Sequence, residues 1–499
     1  MNSHRLGRKT EKLNEIDGQH SFFDEVENCC ELDVDEPELQ IVIRKARRKK
    51  KKDQRELDLE GLPEKKISHP LTDEQLDAHY GSGNWRRLPD DTYARLRFTL
   101  ASWTVERHSA AVAVGKSGDH QDEFLRGDPP NDLLRNSLVT PSLAAVIMNA
   151  KYVNSMLLNR IEQEFERNGV YISRQTMANW TIRCTEKYLL PLYELLHKKL
   201  LELLVNQCDE TPVQVVNDND PDEPNDVKSK VGHKNYMWVQ RSGEFYTDRP
   251  IVLFEYERVR GHEYPEAFYK GYQGVLMTDG LQQYHMIEKT LEDLTNANCW
   301  VHMRRQFADA IKAIKAIKNS LAYKALLRIA AIYKIENTLK DLITQERLDM
   351  RKKSVKPLVE EFFAWVKEQA ARCVVPPKSK TGQGLQYLIH QEPYLKVFLT
   401  DGDVPIDNSA SERAIRTFCI GKKNWMFHNT ANGAWASALI YSISETVKLN
   451  GLRPYYYFRY ILTELPKLCD EQGNLDPADL EHLMPWSPEL PEECRKPRR

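Results

Sequence analysis

Cys208-Asp209-Glu210-Thr211-Pro212-Val213-Gln214-Val215-Val216 marks a change of character in this chain. Upstream of it, from Pro141, apolar residues recur at helical steps: Leu143, Val146, Ile147, Ala150, Val153, Met156, Leu157, Ile161 and Phe165. That spacing predicts helix. Downstream, Val213–Val216, Tyr236–Gln240 and Ile251–Tyr256 are short and rich in β-branched and aromatic residues, with turn-rich loops between them. They read as strands. Glu263–Tyr269 then fits a short helix, Val275-Leu276-Met277 a buried strand, and Trp300-Val301 the start of another. Three strands, a helix, a strand, a helix and a strand imply a mixed sheet covered by helices, an α+β core. From Arg304 to about Gln369 the pattern is helical again, with Phe307, Ala310, Ile311 and Ile314 on one face. This predicts a helical insertion in the sheet domain.

On the upstream side, Gly169 ends the first helical pattern and Ser173 is placed to cap a second helix, Arg174-Gln175-Thr176-Met177-Ala178-Asn179-Trp180. A glycine just past the last periodic residue and a serine just before the next are ordinary stop and start signals. Two helices with a short join, the second carrying Arg174, Gln175 and Asn179, read as helix-turn-helix-like or as a plain helical hairpin. A Leu-rich helix follows, about Tyr188 to Leu204. Residues 69–125 hold short mixed stretches and form a small module, and residues 1–68 read as a charged arm and linker.

The formal net charge of −2 hides segregation. Glu15–Glu38 carries ten acids and no Lys or Arg, whereas Arg44–Lys52 has eight basic residues in nine positions. Cys299–Lys356 holds fourteen Lys or Arg against five acids, which fits either a helix tracking phosphates or a solvated face. The tail Glu464–Glu493 has nine acids against one lysine. With 41% hydrophobic residues, and no apolar run of bilayer-spanning length, disorder throughout and a membrane-embedded class are excluded. The charged start has no apolar signal region, so a cytoplasmic protein is expected. Nine cysteines without a CxxC pair do not form a disulfide framework or an evident zinc site.

Three acids sit at edges of predicted elements. Asp209 opens a strand, Asp279 closes one in Met277-Thr278-Asp279-Gly280, and Glu412 lies near a helix start in Asn408-Ser409-Ala410-Ser411-Glu412-Arg413. Carboxylates from two strands and a helix are what a pair of Mg²⁺ ions needs, because hard oxygens hold such ions about 3.5–4 Å apart. Each acid has a plainer reading. Asp209 suits a surface strand end, Asp279-Gly280 an ordinary turn, and Ser409-x-x-Glu412 a capping box.

Several ordered segments together resemble the insertion sequence 66 transposases. They are Asp209-Glu210-Thr211-Pro212; Thr278-Asp279-Gly280 with Tyr284; Cys299-Trp300-Val301-His302-Met303-Arg304-Arg305-Gln306-Phe307; Ser411–Arg416 through Gly421-Lys422-Lys423-Asn424-Trp425; and Ser444–Leu452. The resemblance runs from about Arg8 to Leu465. It implies a DDE-type polynucleotidyl transferase with an RNase H-like catalytic domain, in which Asp209, Asp279 and Glu412 fall on the catalytic, metal-holding positions. It implies two Mg²⁺, with Mn²⁺ as an alternative, and DNA as partner, both the element's terminal repeats and the target. It also implies a homo-oligomer that pairs the ends, and small accessory proteins of the same element.

His302, Arg304, Arg305, Arg413, Arg416, Lys422 and Lys423 match recurrent polar positions of these motifs and join Arg174, Gln175 and Asn179 as expected DNA contacts. The expected layout is 1–68 arm, 69–125 small module, 126–205 helix-turn-helix-like region, 206–303 first part of the catalytic core, 304–400 basic helical insertion, 401–450 second part with the acidic helix, and 451–499 C-terminal helical segment and acidic tail.

Two departures from the family's pattern stand out. No cysteine lies between Cys30 and Cys184, so residues 69–125 cannot carry the family's cysteine zinc finger, and His69, His79, His108 and His120 are a poor substitute. No zinc is expected. The family's zipper-like segment upstream of Arg8 is also expected to be missing. The alternatives to a working transposase are a transposase-derived DNA-binding protein without catalysis and a metal-dependent nuclease without strand transfer.

Overall fold

The computed structural model describes Glu74 and residues 103–105, 112–114, 124–126, 132–135, 137–218, 235–312, 320–372, 375–470 and 472–497. The expected arm over 1–68, and most of the expected module over 69–125, lie outside the described residues. The chain forms two compact units. In the smaller, over 36–131 and 497–499, β1 (Val112–Val114) and β2 (Phe124–Arg126) pair antiparallel with Val112 opposite Arg126.

The larger unit holds the rest of the described elements and begins with helices. Thr140 caps α1 (Pro141–Met148), its side chain accepting from the Leu143 amide. The sequence predicts one helix from here to Phe165, but the chain breaks. A π-turn over Asn149–Val153 leads to Ser155 at φ 56°, and α2 (Leu158–Arg167) starts afresh. The cause is tertiary: the Ser155 carbonyl accepts a 3.0 Å hydrogen bond from Asn424, far along the chain. Gly169 ends α2 as expected. It takes φ +78°, its N–H bonds Glu166 O at 2.9 Å and the Val170 N–H bonds Phe165 O at 2.9 Å, the paired bonds of a left-handed helix stop. Ser173 then caps α3 (Arg174–Cys184) through the Thr176 amide at 3.1 Å. The join, residues 168–173, is longer than the three or four residues of a tight helix-turn-helix. A second π-turn, Thr185–Leu189, continues into α4 (Leu190–Leu201).

The sheet follows. Its strands are β3 (Val205–Val213), β5 (Asn235–Ser242), β6 (Val252–Glu257), β7 (Gly274–Thr278) and β8 (Leu294–Asn298), in the order β6-β5-β3-β7-β8. β5 pairs antiparallel with both β6 and β3, whereas β7 is parallel to β3 and to β8. Between β6 and β7 lies α5 (Glu263–Phe268), and between β7 and β8 lies α6 (Gln282–Thr290).

Two strand readings are corrected. Trp300 starts a helix, α7 (Trp300–Lys312), and the strand is the polar-looking Leu294–Asn298 before it. Asp209 lies inside β3 rather than opening it. The first half of that strand hides Asn206 and Gln207, whose buried amides bond Leu200 O at 3.1 Å and Asp407 O at 3.3 Å.

Between β8 and the second half of the core the described elements are helices, as expected. α7 is followed by α8 (Leu321–Glu336), α9 (Thr344–Met350), a π-turn Arg351–Val355, α10 (Lys356–Ala371) and α11 (Lys380–Leu395). Trp300, Phe307, Phe362, Phe363 and Phe398 pack a second core beneath these helices. The chain then returns to the sheet with α12 (Ser409–Trp425), crosses β9 (His428–Thr430), which pairs in parallel with β4 (Val215–Asn217), and ends in α13 (Ala431–Leu449) and α14 (Pro454–Leu468). No described helix is long and apolar enough to cross a membrane.

α13 protects the sheet's open edge. β6 is an edge strand, so Val252 and Phe254 would present unpaired backbone groups. Ser442 Oγ accepts from Phe254 N at 2.7 Å, and Thr446 Oγ1 accepts from Val252 N at 3.0 Å; the same hydroxyls also reach the carbonyls of those residues. Ser442→Ala leaves a buried N–H unsatisfied and is expected to cost about 1–3 kcal/mol. A urea midpoint equal to the wild type's would show that the edge has another partner.

Candidate active site

The parallel register of β3 and β7 aligns Asn206 with Leu276 and Gln207 with Met277. Continued by two residues, it brings Asp209 level with Asp279. Asp279 directly follows β7, and Gly280 after it takes φ +82°. No other residue is accommodated at 280 without strain, because an added Cβ would also lie 2.8 Å from Asn298 Nδ2 and from the Tyr387 hydroxyl. The resulting turn fixes the Asp279 carboxylate, whose Oδ1 accepts from Leu281 N at 3.1 Å.

Glu412 arrives from across the insertion. It sits in the first turn of α12, and the start of that helix is tied to β3 by side chains that are themselves buried. Asn408 donates to Cys208 O at 2.6 Å and accepts from Gln207 Nε2 at 3.2 Å, while its backbone N–H points at Cys299 Sγ. Arg241 of β5 adds a 3.0 Å bond to Ala410 O. Asn408 is the cap and Ser409 the first helical residue, so a capping box from Ser409 to Glu412 does not form. Glu412 Oε1 is buried with no hydrogen-bond partner among the described residues.

Asp209 is the carboxyl on which the other two act. Burial pushes Asp209 well above the usual carboxylate range, and the charges of Glu210, Asp279 and Glu412 push it further. Burial and Glu210 raise Asp279 to about 6. Glu412 is raised by burial and by Asp407, against the opposing pull of Arg305 and Arg413. His302 of α7 places Nε2 3.7 Å from Glu412 Oε1. Burial and Arg305 hold that imidazole down at about 4, so near neutral pH it is uncharged and no ion pair forms.

An all-carboxylate donor set with an orphaned buried oxygen suits a hard divalent cation. Among the described residues, however, no three His, Cys, Asp or Glu side chains stand close enough to hold a metal ion as they are. A cation would have to draw the carboxylates together.

Of the expected DNA contacts, His302, Arg305 and Arg413 cluster at Glu412; Arg413 is exposed and pairs with Glu244 at 3.2 Å. Arg304 is half-buried, its charge acting on Tyr333 of α8. Arg416 is half-buried one turn beyond Glu412. Lys422 donates to Pro212 O, and Lys423 is exposed at the far end of α12, about 16 Å along the axis from Glu412. Arg174, Gln175 and Asn179 are exposed on α3. Asn179 lines a separate cleft of about 720 Å³ with Arg183, Asn217 and Asn432.

Two features escaped sequence reading. Glu210, next to Asp209, carries a side chain only 1% exposed and accepts from the Tyr284 hydroxyl at 2.5 Å and from Arg260. Behind Asp279, Thr278, Asn296, Asn298 and Gln391 form a chain of side-chain hydrogen bonds of 2.7–3.1 Å. The only sequence signal for it was an excess of amides in a segment too polar to suggest a buried strand.

Uncharacterized proteins y4qI and y4hP of Sinorhizobium fredii (strain NBRC 101917 / NGR234) are 28% and 26% identical, over 74% and 70% of this chain. The chain spans 66% and 62% of those relatives' own lengths. Among solved structures, the Drosophila P element transposase strand transfer complex aligns with 68% of this chain and 94% of its own, at 12% identity and TM-score 0.26, too low to bear on the fold. Residues 136–436 match the Transposase IS66 family and residues 442–486 the IS66 C-terminal element. The chain belongs to the IS66 transposase family.

Proposed function

We propose that this protein is an insertion-sequence transposase that binds the terminal repeats of its element as DNA and cleaves and joins strands at Asp209, Asp279 and Glu412, in an RNase H-like core. The observation that carries the reading is electrostatic. Asp279 and Glu412, which follow Asp209 in the chain at successive intervals of 70 and 133 residues, both act on its carboxyl at one end of the sheet. Assembling like charges in a buried place is unfavourable unless a bound cation offsets it. The family supplies the reaction class.

In this reading Asp209, Asp279 and Glu412 would hold Mg²⁺, or Mn²⁺ in its place, which when bound activates the attacking oxygen and stabilises the leaving one. The chain's own residues do the rest. The turn at Gly280 and the Asn408 tether fix two of the three acids. Uncharged His302 leaves the negative charge of Glu412 intact, and Arg305 and Arg413 beside it provide cations for a DNA phosphate. Water attack on the phosphodiester at the element end releases a 3′-hydroxyl, which attacks a target phosphodiester in turn, one P–O bond forming as another breaks. Pairing two ends favours a multimer of this chain.

The test is a joining assay with labelled element ends, supercoiled target and Mg²⁺, run beside Asp279→Asn. Joined product that disappears in the variant is expected. DNA binding without cleavage would replace this reading with a non-catalytic one, and cleavage without joining would reduce it to a nuclease.

A further inference from the structure

Successive residues of a strand face opposite sides of the sheet, so Asp209 and Glu210 diverge. Asp209 shares its environment with Glu412 of α12, whereas Glu210 turns toward Tyr284 of α6 and the loop between β6 and α5. Arg260 comes from that loop. Its Nε donates to Glu210 Oε1 at 2.7 Å and its Nη2 donates to the same oxygen, while the guanidinium lies 5.6 Å from the centre of the Tyr236 ring. Glu210 is therefore a buried carboxylate held from two directions, and Arg260 is a guanidinium fixed at its base with its side chain 39% exposed. Among the described residues no hydrogen bond is made by its third nitrogen, Nη1. The charge of Arg260 also reaches Asp279, opposing the effect of burial there.

A half-exposed arginine, pre-set by a buried acid and an aromatic face beside a reactive carboxylate, has lost its conformational entropy before any ligand arrives. A surface ion pair would need neither the burial of Glu210 nor its second bond to Tyr284. The location is specific as well. Arg305 of α7 and Arg413 of α12 act on Glu412, and Arg260, from the loop before α5, acts on Asp279. A DNA strand crossing the end of the sheet would meet a cation at each of these two acids.

We propose that Arg260 contacts a backbone phosphate of DNA held at the acidic site, and that Glu210 and Tyr284 are its positioning residues. This rests on the proposed reading of the protein as a DNA-processing enzyme.

The experiment measures binding of a fluorescein-labelled duplex carrying the element end, in EDTA, over a series of salt concentrations. Cleavage of the same duplex is followed in Mg²⁺. Loss of one phosphate contact lowers the slope of log K against log salt by about 0.9, and Arg260→Ala is expected to show that loss. Because this variant strands the buried Glu210 charge, Arg260→Ala with Glu210→Gln is made alongside. The double variant should recover thermal stability and keep the lowered slope, which a merely structural ion pair would not produce. Glu210→Gln alone keeps the cation but releases it, so the slope should stay as in the wild type while cleavage slows roughly tenfold or more. An unchanged slope in both Arg260 variants, with the wild type binding and cleaving normally, overturns the proposal and leaves the function standing. A wild type that binds DNA without salt dependence overturns both.

Discussion

Asp279→Asn is expected to stabilise the metal-free protein near neutral pH while reducing joined product on the order of 10³-fold or more. The two effects share one cause. Asn keeps the size of the side chain and the Oδ1 that accepts from Leu281 N, so the turn at Gly280 survives. What it removes is a charge that burial and the neighbouring Glu210 both oppose. In the native protein the Asp279 carboxyl titrates at about 6 against an ordinary value of 3.8. Between those values the folded state binds more protons than the unfolded one, so stability falls as pH rises through the interval. Above about 6 the loss is complete and amounts to about 3 kcal/mol at most. Below 3.8 both states are protonated and the contribution vanishes. The stability difference between variant and wild type should therefore be small in acid and grow toward neutral pH. Mg²⁺ should reverse the order by raising the wild-type melting temperature through preferential binding to the folded state, with much less effect on the Asp279→Asn variant. A variant less stable than the wild type in EDTA at neutral pH, or one that Mg²⁺ stabilises equally, would remove Asp279 from the cation-binding set.

The local setting of Asp279 and Glu412 was legible in the sequence, because Asp279-Gly280 carries a turn signal and Asn408–Glu412 a helix-start signal, and the structure has a turn and a helix start there. The strands rich in Val, Tyr and Phe were legible for the same kind of reason. The elements misread were those whose burial is polar. Leu294–Asn298 and the first half of β3 bury Asn and Gln side chains, and a hydrophobic pattern cannot reveal a strand whose inward residues are amides paired with backbone carbonyls and with one another. The break at Ser155 was hidden for a similar reason, since the bond that stabilises it comes from Asn424. Glu210 and Arg260 lie fifty residues apart, and neither belongs to a short pattern that would mark it as paired. The basic stretch from Cys299 to Lys356 shows the limit of charge counting. Two of its arginines, Arg347 and Arg351, have side chains only 5% and 0% exposed, so they bind the protein's own carbonyls rather than phosphates.

Glu336→Ala is expected to cost about 3–5 kcal/mol, because it leaves Arg351 buried and unpaired. Arg351 directs Nε and Nη2 to Glu336 at 3.0–3.2 Å and Nη1 to four carbonyls, Phe398 O and Val404 O at 2.8 Å, Asp401 O at 2.9 Å and Gly402 O at 3.3 Å. Arg347 holds the same loop through Gly402 O at 2.8 Å. These carbonyls belong to the segment that leaves the insertion and runs into Asn408 and Glu412. The ion pair thus satisfies a buried charge, and the guanidinium sets the path by which the third acid returns to the sheet. The two roles are separable. Replacing both partners by apolar residues, Glu336→Leu with Arg351→Met, removes the charges together and should recover most of the stability lost in Glu336→Ala, as apolar replacements of buried pairs commonly do. It cannot restore the bonds to Phe398, Asp401 and Val404. The double variant should therefore unfold at nearly the wild-type urea concentration yet join strands poorly, since a displacement of about 1 Å at a catalytic group costs on the order of 10²-fold. Wild-type joining by a stably folded double variant would show that the Asn408 tether alone positions Glu412 and that Arg351 serves the insertion only.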